Sequence, residues 1–325
     1  MDPVDRGGAV LLLNMGGPDS LKAVQPFLRN LFSDPAIITL PELLRRPLAS
    51  FLSARRASKV IPRYRVIGGK SPIGELTRNQ AAALAALLPA GFGPVLPAFS
   101  YWNPFIQEAV EAAAASGARR LVALSLYPQY CTATTGTCVE ELSMLLPGTP
   151  FESSVQIIDS WPTHPGYLDA LASTIEEAIE QVPEERKDDV VVLFSAHGVP
   201  RKLVDRGDPY LAEILATVNG VVGRLGGRPH ELAFQSRLGP VKWLEPSLPE
   251  KLAELAAGRT PPLVIVPVSF VSDHIETLYE LDIQHRAMAK ELGFDIYVRA
   301  PALNSRPDFI AALADLVLNS LREGN

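Results

Sequence analysis

Cysteine is scarce in this 325-residue sequence, which contains only Cys131 and Cys138. Two thiols in one subunit cannot supply the four thiolates of an iron–sulfur cluster or of an all-cysteine zinc site. Few cysteines also favour a cytoplasmic protein with free thiols over a secreted protein that depends on disulfides.

Several functional signatures are missing as well. The sequence has no G-x-S-x-G elbow, no Walker A sequence, no G-x-G-x-x-G between a strand and a helix, and no paired-histidine zinc motif. A net charge of −6 gives no basic footprint for nucleic acid. The first eight residues contain two aspartates, and no apolar h-region precedes a cleavage site, so no signal peptide is expected. The uncharged stretch 81–107 contains four prolines, which excludes a membrane-spanning helix.

Strand-like and helix-like segments alternate along the whole chain, which predicts an α/β protein with mainly parallel sheets. A loop of weak pattern at 148–153 is a plausible domain boundary. A strand followed by x-x-Gly-x-Pro occurs at 9–18 and again at 190–200, which hints at two similar halves.

The segment Leu263–Arg286 begins as a buried strand and continues as a helix with an acidic face. Ligands bind at the carboxyl ends of such strands, so Glu276 and Glu280 are candidates for holding a cation or moving protons. The alternative is structural: Asp273 as N-cap with Glu276 three residues later matches a capping box, and His274 fits a core histidine.

His197 follows another buried strand, 189–194. If both strands belong to one sheet, His197 and Glu276 could face the same cleft. A histidine after a strand is more often structural than catalytic, but four further side chains are available to line an apolar slot: Met15, Tyr101, Tyr127 and Trp243.

Residues 33–72 combine apolar side chains with eight arginines and lysines. This mixture suits an interfacial surface or the rim of a pocket for an apolar anion. An ordinary amphipathic helical pair with solvated arginines explains it equally well.

Long stretches of the chain closely resemble the ferrochelatases, the enzymes that insert iron at the last step of haem synthesis. The matching segments are LLLNMGGPDSLKAVQPFL, YRVIGGKSPI, SLYPQY-x-TATTG, SWPTHP, LFSAHGVP, RGDPY, FQSRLGPVKWLEPS and VSFVSDHIETLYELDI. The resemblance implies two similar Rossmann-like, doubly wound domains with parallel sheets and a porphyrin cleft between them. The first domain would comprise 1–150 with a returning helix at 302–325, and the second 151–301.

The resemblance also implies roles for particular residues. His197 and Glu276 match the catalytic and metal-site positions, and Glu280 belongs to an acidic row proposed to deliver iron or remove protons. Lip residues that contact propionates or shape access would be Arg56, Lys59, Tyr64 and Ser71. The pocket-lining positions match Met15, Tyr101, Tyr127, Trp243 and Phe270. The substrates would be ferrous iron and a porphyrin, without a further cofactor.

The chain departs from the family pattern at three places. Cys131 lies one residue before the internal cluster cysteine of some members, where Thr132 stands, and no cysteine-bearing extension follows, so we expect no [2Fe–2S] cluster. Gln284 replaces a third acid of the row. Ser100 replaces the arginine that animal enzymes have before the matching tyrosine.

The loop Asn14–Gly17 resembles the branch of the family that uses protoporphyrin IX, whereas the coproporphyrin III branch tends to have Tyr-Gly there. A chelatase for another tetrapyrrole and a non-catalytic tetrapyrrole carrier are the rival interpretations. We expect a cytoplasmic monomer or homodimer that contacts the inner face of the membrane peripherally through residues 33–60.

Overall fold

The computed structural model describes residues 8–237 and 241–323. The chain divides into two compact units, Met1–Ser160 with Ile310–Asn325, and Trp161–Phe309. The sequence predicts domain boundaries near 150 and 302, whereas in the structure the boundaries follow Ser160 and Phe309.

The first unit contains a four-stranded parallel sheet in the order β2-β1-β3-β4. The central strands are almost completely apolar and fully buried, because helices cover both faces of a parallel sheet. The strands are β1 (Ala9–Asn14), β2 (Val95–Phe99), β3 (Leu121–Ser125) and β4 (Val155–Ile158).

The second unit repeats this arrangement in the order β6-β5-β7-β8, also parallel. Its strands are β5 (Val191–His197), β6 (His230–Gln235), β7 (Leu263–Pro267) and β8 (Tyr297–Arg299). In the strand order, β1 corresponds to β5 and β3 to β7. The last pair of β1 with β3 is Leu13 with Ser125, and the last pair of β5 with β7 is Ser195 with Pro267. Two residues further along, Met15 of the first unit therefore corresponds to His197 of the second. The α/β prediction with two similar Rossmann-like halves is confirmed.

The helices connect these strands. In the first unit they are α1 (Val24–Phe32), α2 (Glu42–Val66), α3 (Ile73–Leu87), α4 (Ile106–Ala115) and α5 (Thr137–Leu145). The remaining helices are α6 (Pro165–Ile179), α7 (Arg201–Asp205), α8 (Tyr210–Arg224), α9 (Leu248–Ala257), α10 (Arg286–Glu291) and α11 (Pro307–Glu323). Short 3₁₀ turns occur at Leu21–Ala23 and Glu184–Asp189. None of the helices in the described residues is both long enough and apolar enough to cross a bilayer.

Two segments differ from the expected helices. The helical pair considered for residues 33–72 is one helix, α2, which continues through Pro47 and Pro62. The helix after β7 begins with a ten-residue π-helix, Glu276–His285, before α10. A shorter π-helix, Thr132–Gly136, follows β3, the corresponding strand of the first unit. Such wide turns are rare and frequently occur at functional sites.

Candidate active site

His197 is the last residue of β5, and its backbone is fixed on both sides. Its N–H donates to Ser269 Oγ at 3.0 Å, and its carbonyl accepts from Tyr210 Oη at 2.9 Å. Tyr210 Oη and Ser269 Oγ are themselves 2.7 Å apart. The imidazole therefore extends from a rigid strand end.

Glu276 is the first residue of the π-helix Glu276–His285, called the second π-helix because it follows Thr132–Gly136 in the chain. Its side chain contacts His197, although 79 positions separate the two residues. Glu276 Oε2 lies 2.8 Å from His197 Nδ1. The Glu276 carbonyl accepts from Gln235 Nε2 at 3.3 Å, and Ser195 Oγ donates to Gln235 Oε1 at 2.6 Å. Side chains at the ends of β5 and β6 thus hold the pair in place.

The proposed capping box does not form. Asp273 N donates to Asn304 Oδ1 at 2.9 Å rather than to the Glu276 carboxylate, and Asp273 Oδ1 accepts from Thr277 Oγ1. The residue that precedes the π-helix is Ile275. The Glu276 side chain is consequently available to His197, and the capping-box interpretation of Glu276 is wrong.

The charges of the pair stabilise each other. Burial lowers the pKa of His197, but the Glu276 carboxylate and, more weakly, Glu280 raise it above the ordinary value of 6.5. Burial raises the pKa of Glu276, yet the His197 imidazolium lowers it below 4.5. Each charge therefore favours the other, and the two side chains are 34% and 21% exposed.

Glu280 joins the pair through Ser236, a residue that sequence reasoning missed. Ser236 Oγ lies 3.0 Å from Glu276 Oε2 and 2.5 Å from Glu280 Oε2. Ser236 has a left-handed backbone with φ 66°, which is unusual for a non-glycine residue and common at functional sites. Its place directly after β6 was the available signal, because ligands bind at the carboxyl ends of parallel strands.

The described residues contain no group of three His, Cys, Asp or Glu side chains arranged to hold a metal ion. The structure brings together His197 and Glu276 as a direct pair, with Glu280 one hydroxyl away.

Aromatic side chains flank the pair within the second unit. The Phe270 ring lies 5.9 Å from the His197 ring and 4.2 Å from the His274 ring. Trp243 forms an antiparallel bridge with Pro200 and lies against Gly198, where an added Cβ would be 3.5 Å from Trp243 Cε3. Phe270 thus lies beside the His197 ring, and Trp243 lies beside the glycine that follows His197.

His274 is buried, and burial lowers its pKa. Its Nδ1 lies 3.2 Å from the Ser272 carbonyl. Its Nε2 has no hydrogen-bond partner among the described residues. The core position agrees with the structural interpretation of this histidine.

The remaining predicted residues lie in the first unit, several at strand ends. Tyr101 N donates to Met15 O at 3.1 Å, and Met15 packs against the core cluster that contains Tyr127. Tyr101 Oη donates to Asp34 Oδ2 at 2.5 Å, which fixes the ring. Met15 and Tyr101 are therefore neighbours, and Met15 lies against the cluster to which Tyr127 belongs.

The four lip candidates divide between two environments. On α2, Arg56 is half-buried, Lys59 is exposed and Tyr64 is buried. Ser71 is buried in the following loop, where its N–H donates to Pro18 O at 2.7 Å. Of these four residues, only Arg56 and Lys59 are accessible enough to bind a carboxylate from solution.

Comparisons with known proteins agree on one family. The family model described as ferrochelatase matches residues 7–321. Ferrochelatase from Geotalea daltonii is 49% identical over 317 residues, covering 97% of this chain and 98% of the relative. Ferrochelatase from Thermosynechococcus vestitus is 46% identical over 321 residues, covering 96% of this chain and 82% of the relative.

Two solved structures share the fold at low sequence identity. SirB from Bacillus subtilis with Fe3+ has a TM-score of 0.61 at 13% identity and covers 98% of both chains. The sirohydrochlorin chelatase SirB from Bacillus subtilis subspecies spizizenii, in complex with cobalt, has a TM-score of 0.53 at 14% identity. It covers 77% of this chain and 92% of that one. At these identities the likeness concerns the fold alone.

Proposed function

The chain belongs to the ferrochelatase family, and on that premise we propose that it inserts Fe²⁺ into protoporphyrin IX to form protohaem. The family is a group of metal chelatases that act in haem biosynthesis. The observation that carries the proposal is the contact of 2.8 Å between His197 Nδ1 and Glu276 Oε2 at a strand end.

Metal insertion requires a porphyrin to lose two pyrrole protons while Fe²⁺ loses its water. An imidazole and a carboxylate are suitable acceptors for those protons and suitable ligands for ferrous iron. Because its pKa is raised, the neutral His197 imidazole is a stronger base than an ordinary histidine. Glu280, reached through Ser236, offers a second carboxylate that can pass iron in or protons out.

The choice of protoporphyrin IX rests on the loop Asn14–Gly17 and on the apolar lining candidates. An apolar slot buries a ring system, while basic residues at its lip bind the propionates. Arg56 and Lys59 are the basic residues proposed for that role, and Met15 and Phe270 are among those proposed to contact the ring.

Anaerobic insertion assays with protoporphyrin IX and coproporphyrin III side by side test the proposal. We expect a higher kcat/KM for protoporphyrin IX. A preference for coproporphyrin III would contradict the substrate assignment and favour the other branch of the family. Porphyrin binding without insertion of iron into either ring would contradict the enzyme and favour a carrier.

We further propose that α2 and the segment before it contact an anionic membrane surface. Leu43, Leu44 and Phe51 are 88%, 61% and 62% exposed, and the helix also presents Arg46 and Arg55. Exposed apolar side chains among cations suit a lipid interface. The protein would then work at the inner face of the membrane.

Vesicle sedimentation with anionic lipid tests this contact at low and at physiological salt. Wild type should sediment with the vesicles, and a Leu43→Ser/Phe51→Ser variant should remain in solution. Met144→Ser, which removes a side chain that is 70% exposed on α5, is the control and should bind like wild type. A wild type that stays in solution at both salt concentrations would refute the contact.

A further inference from the structure

Arg299, the last residue of β8, bridges two carboxylates on either side of the acidic residues of the second π-helix. Its Nη1 lies 3.1 Å from Asp273 Oδ1, and its Nε lies 2.9 Å from Asp282 Oδ1. Asp273 comes three residues before Glu276, and Asp282 comes two residues after Glu280. The Arg299 side chain is 11% exposed, so both ion pairs are shielded from water.

Two neighbours of Arg299 bind the same segment. Asn304 Nδ2 donates to Asp273 Oδ2 at 3.0 Å, and Asn304 Oδ1 accepts from Asp273 N at 2.9 Å. Tyr297 Oη donates to the Leu281 carbonyl at 3.0 Å. Contacts from β8 and the loop after it therefore reach both ends of the stretch that carries Glu276 and Glu280.

These contacts help to hold the second π-helix in its wide conformation. A π-helix uses i→i+5 hydrogen bonds and is rare, so packing has to hold it. In an ordinary α-helix, residues four apart point about 40° away from each other. The wider π-turn reduces that divergence, and both carboxylates reach Ser236 Oγ.

The second sheet connects the two sides of the candidate site. Arg299 of β8 pairs with Ile265 of β7, and β7 pairs with β5, which ends at His197. The strand that binds the π-helix and the strand that carries the imidazole thus belong to one hydrogen-bonded sheet. A displaced π-helix would move Glu276 relative to a fixed His197.

We propose that Arg299 is a positioning residue for metal insertion: by binding Asp273 and Asp282 together, it keeps the Glu276 carboxylate on the His197 imidazole. The inference rests on the proposed roles of His197 and Glu276. It requires the planar guanidinium, because two separate nitrogens contact two carboxylates. Lysine at this position carries the same charge on a single ammonium and cannot reproduce the bridge.

The test compares Arg299→Lys with Arg306→Lys in the full-length protein. Arg306 is a matched control, because its guanidinium also binds two carboxylates, of Glu177 and Asp308, away from the π-helix. Three quantities are measured: kcat and KM for iron insertion, the melting temperature, and the ¹⁵N resonances of the His197 imidazole at one fixed pH.

We expect Arg299→Lys to lower kcat about 10- to 100-fold, which is the usual effect of replacing a residue that orients a metal ligand or catalytic side chain. The KM for porphyrin should stay close to that of wild type, and the loss of melting temperature should not exceed that of Arg306→Lys. The His197 resonances should shift in Arg299→Lys and remain unchanged in Arg306→Lys.

A normal kcat in Arg299→Lys, or unmoved His197 resonances, would overturn the proposal. Parallel losses of kcat, porphyrin affinity and melting temperature would overturn it too, since they indicate a general folding role. The resonances do not depend on turnover. A wild-type protein that inserts no metal would therefore refute the proposed function separately from the role of Arg299.

Discussion

The contact between His197 and Glu276 makes the protonation of each side chain depend on the other. The raised pKa of His197 contributes stability that is complete below 6.5 and is lost as the pH rises through its folded pKa. The lowered pKa of Glu276 contributes stability above 4.5 that is lost as the pH falls through its folded pKa. The combined contribution of the pair is therefore greatest between pH 4.5 and pH 6.5.

Replacing Glu276 by glutamine tests this coupling directly. In Glu276→Gln the burial that lowers the pKa of His197 persists, while the main charge that raises it is gone. We expect the pKa of His197, followed by NMR titration of the imidazole, to fall below the wild-type value. An unchanged pKa would mean that the carboxylate does not act on the imidazole.

In the first unit, a second acid, Glu141, destabilises the folded protein when its carboxyl group is ionised. Burial, opposed by a hydrogen bond from Ser100 and reinforced by the charge of Asp34, raises the pKa of Glu141 to about 7. Folding then disfavours the carboxylate, and its destabilising effect grows as the pH rises from 4.5 to about 7.

Glu141→Gln should therefore stabilise the protein at pH 8 by about 1–2 kcal/mol, after allowance for partial solvation. The gain should largely disappear near pH 4.5, where glutamate is neutral in the folded state. Chemical denaturation at both pH values measures the difference, with Glu140→Gln at the neighbouring exposed position as control. A gain independent of pH would show that charge is not its cause.

The turn that follows β5 depends on close backbone packing. Gly198 N donates to the Gln235 carbonyl at 2.8 Å, and a Cβ added to Gly198 would also lie 2.8 Å from that oxygen. Because Gln235 holds the Glu276 carbonyl, a shift at this point reaches the candidate site.

We expect Gly198→Ala to destabilise the protein by about 1–3 kcal/mol through overpacking and to lower the rate of iron insertion. Gly223→Ala is the control, since a Cβ there meets nothing within 4 Å and alanine favours the helix. Denaturant unfolding and the insertion assay measure both effects. Equal stability and activity in the two variants would contradict the packing argument.

The strands of both sheets could be predicted because they are short apolar runs that end in turn residues. Leu121–Ser125 and Leu263–Pro267 are examples, and burial on two faces demands such runs. The π-helix could not be predicted, since i→i+5 bonding leaves little trace in apolar spacing and Asp273 with Glu276 imitates a capping box. Ser236 was missed because one serine after a strand carries no distinctive pattern.

At the scale of the molecule, two units with the same strand order supply different side chains at corresponding places. Register aligns Met15 of the first unit with His197 of the second. The apolar lining candidates lie mainly in one unit, and the ionisable pair lies in the other. Alternation of strands and helices predicts the fold that the two units share. Which unit carries the apolar side chains and which the ionisable pair depends on a few residues, and only sequence motifs identify them.

The most direct test is the rate of anaerobic Fe²⁺ insertion by wild type, His197→Ala and Glu276→Gln, with His230→Ala and Glu254→Gln as exposed controls of the same residue types. If His197 and Glu276 accept the pyrrole protons, kcat should fall about 10²- to 10⁴-fold in each site variant, while the controls match wild type. Full insertion activity in either site variant would contradict the assignment of the pair as the catalytic centre.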